Sequence, residues 1–111
     1  MKGDGAYLRY ILETIGRIEF AISDGKSAFL ESSIHQDAVL RNLHTMTETT
    51  QRLSAAIKSA YPEVEWATLS AFRNVLVHDY LGIDVELIWQ VVTNDVPRFK
   101  NQIKRILKDF G

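Results

Sequence analysis

Apolar positions recur every three or four residues along almost the whole chain, the spacing of amphipathic helices. Tyr7, Ile11, Ile15, Ile18 and Ile22 set the pattern and predict a helix over residues 6–23. "SDGKS" at 23–27 interrupts it, with Gly25 as a stop and Ser27 as a cap for a short helical turn in "AFLES". A long helix over residues 35–60 follows, buried through Val39, Leu40, Leu43, Met46, Leu53, Ala56 and Ile57. Tyr61 precedes a proline and is biased out of the α region, so "YPE" ends that helix. A fourth helix spans 64–79 and exits at Gly82, and Asp84 is placed to cap the last one.

That last helix buries Ile88, Val91, Val92, Val96, Phe99, Ile103, Ile106, Leu107 and Phe110. Pro97 lies inside it, which predicts a kink or split near Asn94–Val96. Nothing reads as a strand, a repeat or a low-complexity linker. The expectation is an all-α, up-and-down bundle of four to five helices forming one domain over residues 1–111.

Composition narrows the chemistry. The chain has no cysteine, which excludes disulfides and thiolate metal sites. No apolar run approaches the ~18 residues of a membrane span, and "MKGDGAYLRY" lacks a signal-peptide core, so the expected address is the cytoplasm. A formal net charge of −1 argues against coating nucleic acid by bulk electrostatics. Arg98, Lys100, Lys104, Arg105 and Lys108 form a local basic face, read first as a solvated surface near a helix C-terminus.

"RNVLVHDY", residues 73–80, reads from spacing alone either as a helix end with a satisfied histidine or as a nucleic-acid-cleaving site. At 100° per residue with Arg73 at zero, Tyr80 falls at about −20°, Val77 at about 40°, Asn74 at about 100° and His78 at about 140°. Arg73 and His78 then flank a shallow cleft with Val77 as its floor, while Phe72, Val75 and Leu76 face the core. Asn74 and His78 stand at i, i+4, so the amide is placed to orient the imidazole. Histidine moves protons near neutral pH, and arginine grips phosphate through two donors. Together they suit RNA cleavage by attack of a 2′-OH on its own phosphate. One histidine does not easily serve as both base and acid at one phosphate. A two-fold dimer supplies two, and C2 is the commonest symmetry.

The octapeptide resembles the R-x4-H-x-Y signature of HepT-like proteins in the HEPN ribonuclease superfamily. "QDAVLRNL" (36–43), "YPEVEW" (61–66), "GIDVELIW" (82–89) and "DVPRFKNQI" (95–103) resemble matching family segments, in order and at matching spacing. The resemblance implies a homodimeric helical bundle and a metal-independent endoribonuclease without cofactor, the toxin of a type VII-like toxin–antitoxin system. It makes Arg73 and His78 catalytic, Asn74 supporting, and Tyr80 the acceptor of AMP from an MntA-like nucleotidyltransferase antitoxin. With Tyr80 on Arg73's side of the helix, the added nucleotide phosphate would occupy the place of RNA phosphate. The chain departs from the family where "TET" (47–49) stands for a "GEA"-like segment, keeping Glu48 alone.

His35 and His44 lie nine positions apart and read as surface or dimer-adjacent residues rather than a metal pair. Trp66 and Trp89 read as core. The competing function is a non-catalytic helical subunit of a nucleotidyltransferase that uses the same surface and the same tyrosine without cleaving RNA.

Overall fold

The computed structural model describes residues 3–110. The described residues form seven α-helices: α1 (Asp4–Ala21), α2 (Lys26–Glu31), α3 (Ser33–Thr50), α4 (Ala55–Ala60), α5 (Trp66–His78), α6 (Val85–Gln90) and α7 (Val96–Phe110). A 3-10 turn, Tyr80–Gly82, follows α5, and a π-helical turn, Val91–Asp95, joins α6 to α7.

Helix α3 is central and packs against α1 on one side and α5 on the other, while α7 covers α1. Side-chain pairs fix the directions. Asp4 at the start of α1 meets Ser54 just past α3, and Lys100 of α7 bonds Glu19 near the end of α1 at 2.8 Å. Arg73 of α5 meets Glu48 late in α3, and Tyr80 beyond α5 meets Asp37 early in it. Each packed pair is therefore antiparallel, and the molecule is an up-and-down helical bundle. Leu8, Ile11, Ile15 and Ile18 of α1, Val39 and Leu43 of α3, and Ile103 and Ile106 of α7 are the buried centre.

The first helix follows its apolar stripe closely. Gly25 adopts φ +95°, a left-handed conformation that disfavours any side chain, and so turns the chain into α2. Ser32 caps α3 by accepting the His35 N–H at 3.2 Å.

The long helix expected over 35–60 is two helices. α3 ends at Thr50 and α4 begins after Ser54, whose side chain caps it by accepting the Ile57 N–H at 3.2 Å. Apolar spacing continues through the break, because Leu53 and Ile57 are both buried, so periodicity did not register it. What ends α3 is polar. Thr47, Thr49 and Thr50 bond back to carbonyls three or four residues earlier, competing with the helical ladder. Asp4 completes the turn by accepting the Ser54 N–H at 2.9 Å and the Ser54 hydroxyl at 2.6 Å. Ala56, expected in the core, is exposed on α4.

Asp4→Ala removes both bonds and leaves the Ser54 N–H without its acceptor. An unfolding free energy lower by about 1.5–3 kcal/mol is expected, read as a fall in the urea midpoint at constant slope.

Asp84 caps α6 through the Glu86 N–H at 2.9 Å, as expected. Pro97 lacks the N–H that would continue the ladder, and the five residues of the π-helical turn, ending two positions before it, absorb the irregularity. Phe110, expected to be buried, is 54% exposed.

Candidate active site

Arg73, Asn74 and His78 stand on the last two turns of α5, which is held to α3 by buried Leu76 and half-buried Phe72. The helix stops at His78. Asp79 takes φ −130° and ψ 34°, its N–H closing the last turn on the Val75 carbonyl at 2.9 Å. A continuous helix would have turned this carboxylate inward, where desolvation is costly. Gly82 permits the tight turn that follows, since a Cβ there would stand 3.0 Å from an Asp79 carboxylate oxygen.

Arg73 is fixed by α3. Its Nε and Nη2 both donate to Glu48 Oε1 at 2.7 Å, and Nη1 donates to Asn74 Oδ1 at 3.3 Å. The guanidinium is thereby oriented on two sides with its outer edge toward solvent, its side chain 27% exposed. His44 joins the same carboxylate, with Nε2 4.0 Å from Glu48 Oε1.

Three expectations about the stretch are corrected. Asn74 bonds Arg73 rather than His78, and the exposed His78 ring has no hydrogen-bond partner among the described residues. Val75 and Val77 are both exposed, so Val75 is not core and Val77 is not the cleft floor. Tyr80 is not on the helix. Its hydroxyl donates to Asp37 Oδ1 at 3.2 Å, eleven positions along α3 from the carboxylate that holds Arg73. Arg73 and Tyr80 thus meet α3 at points about 16 Å apart along its axis, and a groove between α3 and α5 opens at the Tyr80 end.

The groove is lined by Asp37, Leu40, Arg41, His44, Leu76 and Tyr80, with the two leucines as its apolar floor. Desolvation, and then the bond to Asp37 and its negative charge, push the Tyr80 phenol above its ordinary value of 10.0. Because the folded value is raised, this favours the fold below the unfolded value and fades as pH rises through the folded one. Tyr80 is a neutral hydroxyl donor at neutral pH.

Asp37, Arg41, His44 and Glu48 escaped the sequence reading as site residues. Their spacing of four, three and four is a polar helical stripe, and that was the available signal. His35, by contrast, sits at the start of α3 with Nδ1 2.6 Å from Ser32 Oγ. Trp66 and Trp89 pack against the core, Trp66 donating to the Tyr61 carbonyl at 3.0 Å. The basic face of α7 is largely neutralised: Arg98 pairs with Asp95, Lys100 with Glu19 and Arg105 with Glu63. Among the described residues no three histidine, aspartate or glutamate side chains gather as a metal site.

The family described as ribonuclease HepT-like matches residues 11–106, which include α3, α5 and the whole groove. The chain belongs to the HepT-like ribonuclease family. It is 33% identical over 104 residues to a Methanocaldococcus jannaschii protein named "Gamma-glutamylcyclotransferase and putative RNase MJ0434", covering 93% of this chain and 47% of that one. It is 35% identical over 105 residues to "Putative RNase MJ0127" of the same organism, covering 94% and 87%. "Probable ribonuclease HepT" of Thermococcus cleftensis is 32% identical over 103 residues, covering 92% and 94%. The chain thus spans about half of the first relative and most of the other two. No solved structure matches it.

Proposed function

We propose that this HepT-like chain is the RNA-cleaving toxin of a toxin–antitoxin pair, acting as a homodimer. The observation that carries the reading is the arrangement on α5. Arg73 is oriented by Glu48 and Asn74, and His78 stands exposed five positions on, without a hydrogen-bond partner among the described residues. A phosphate held by Arg73 takes up the negative charge that develops as a neighbouring 2′-OH attacks. His78 moves the proton, as base toward the 2′-OH or as acid toward the departing 5′-oxygen. The His78 of a second copy takes the complementary role. Asn74 supports this chemistry through Arg73.

The dimer is supported by apolar side chains around the motif. Val75 is 45% exposed, Val77 40% and Leu81 99%, apolar side chains left open around the end of α5 for a second copy to cover in part.

Neutralisation acts at Tyr80. A cognate MntA-like nucleotidyltransferase transfers AMP from ATP to its hydroxyl, releasing pyrophosphate, and that hydroxyl lines the α3–α5 groove. The added nucleotide then competes along the groove with RNA.

Intact mass and RNA cleavage, measured on chain produced with and without its nucleotidyltransferase, test the proposal. The expected result is cleavage by the unmodified chain, and loss of cleavage with added AMP mapped to Tyr80. Tyr80→Phe should cleave RNA in both preparations. Failure of the unmodified chain to cleave RNA would favour the non-catalytic subunit.

A further inference from the structure

The groove holds a cation that the proposed chemistry does not use. Arg41 projects from α3 between Asp37 and His44, and it forms no ion pair among the described residues. The acids around it are already engaged. Asp37 accepts the Tyr80 hydroxyl, and Glu48 holds Arg73 with His44 beside it. An arginine whose neighbouring carboxylate, Asp37, already accepts a hydroxyl, over an apolar floor of Leu40 and Leu76, is free to receive an anion from outside. Arg41 lies seven positions before Glu48, the residue that marks Arg73, which is about 10 Å along the helix axis. One phosphate seated at Arg73 does not extend over that distance, whereas a strand with repeating phosphates does.

We infer that the α3–α5 groove is a second phosphodiester subsite, in which Arg41 anchors a phosphate of the bound strand away from the one being cleaved. His44 lines the same subsite and is placed to donate to that phosphate. The inference extends the ribonuclease reading and rests on it for the identity of the strand. The same oxyanion chemistry would be offered by a phosphodiester on Tyr80, so the test separates the two sources.

The test compares Arg41→Gln with Lys104→Gln, an exposed cation on α7 outside the groove. Binding of a short single-stranded RNA is measured at several salt concentrations, in a His78→Ala background so that no cleavage intervenes. If the groove holds an RNA phosphate, Arg41→Gln weakens binding about tenfold and lowers the salt slope by about 0.7, while Lys104→Gln changes neither. In chain with intact His78, Arg41→Gln then raises KM for RNA with kcat near the parent value. Equal losses in the two variants, or no loss in Arg41→Gln, overturn the subsite. If Arg41→Gln leaves RNA binding intact but restores cleavage to AMP-bearing chain, the anchored phosphate belongs to modified Tyr80 and the RNA assignment fails. Absence of cleavage by the parent chain would refute the ribonuclease mechanism, and the binding measurement would still decide the subsite.

Discussion

His78→Ala should lower RNA cleavage by about 10²–10⁴-fold, the range for removing a proton-transfer group, and leave the bundle intact. The expectation of intact folding follows from the ring's surroundings. His78 is exposed at the end of α5 with no hydrogen-bond partner among the described residues, so its removal opens no cavity and orphans no buried group. Arg73→Ala should produce a loss of similar size by another route. It removes the phosphate grip and also releases Glu48, which then projects an uncompensated carboxylate toward the site. Arg73→Lys should recover only part of the rate, because a lysine is a single point donor. It does not hold Glu48, Asn74 and a phosphate together. Initial rates on RNA, set beside thermal melts of each variant, check these expectations. Parental cleavage by His78→Ala at an unchanged melting temperature would exclude the histidine from the mechanism.

The second large effect is on stability. Leu43→Ala should destabilise the fold by about 2–5 kcal/mol, a substantial part of the 5–15 kcal/mol typical of a domain. Leu43 is fully buried at the centre of the cluster that α3 shares with α1. The next residue, His44, lines the groove on the α5 side, so one helix serves core and site from adjacent faces. Loosening the core face should also disturb the positions of Glu48 and Asp37, and with them Arg73 and Tyr80. Chemical denaturation measures the stability loss. Phe20→Ala is the contrasting control: Phe20 is 82% exposed, and a change within about 0.5 kcal/mol is expected. Similar losses in the two variants would contradict the assignment of Leu43 to the core.

The sequence by itself determined the all-α bundle, the cap at Asp84, the irregularity before Pro97 and the family. These are local signals. A stripe at three- and four-residue spacing reports a buried helical face, and a cap or a proline acts on the backbone within a turn of itself. The candidate residues were equally plain, because the Arg, Asn, His and Tyr of the octapeptide lie within one short segment.

Where helices stop was less legible. Burial continues across the break after Thr50, so the apolar pattern ran through a turn that Asp4 makes from 50 positions away. The end of α5 at His78 had the same consequence on a smaller scale, since projecting Tyr80 onto a continuous helix placed it beside Arg73. The tertiary structure instead ties Arg73 to Glu48 across 25 positions and Tyr80 to Asp37 across 43. Such pairings depend on which face of α3 meets α5, and that is fixed by packing around Leu40 and Leu76 rather than by either helix alone. The sequence named the candidate side chains, and only the packing of α5 on α3 gave them their neighbours.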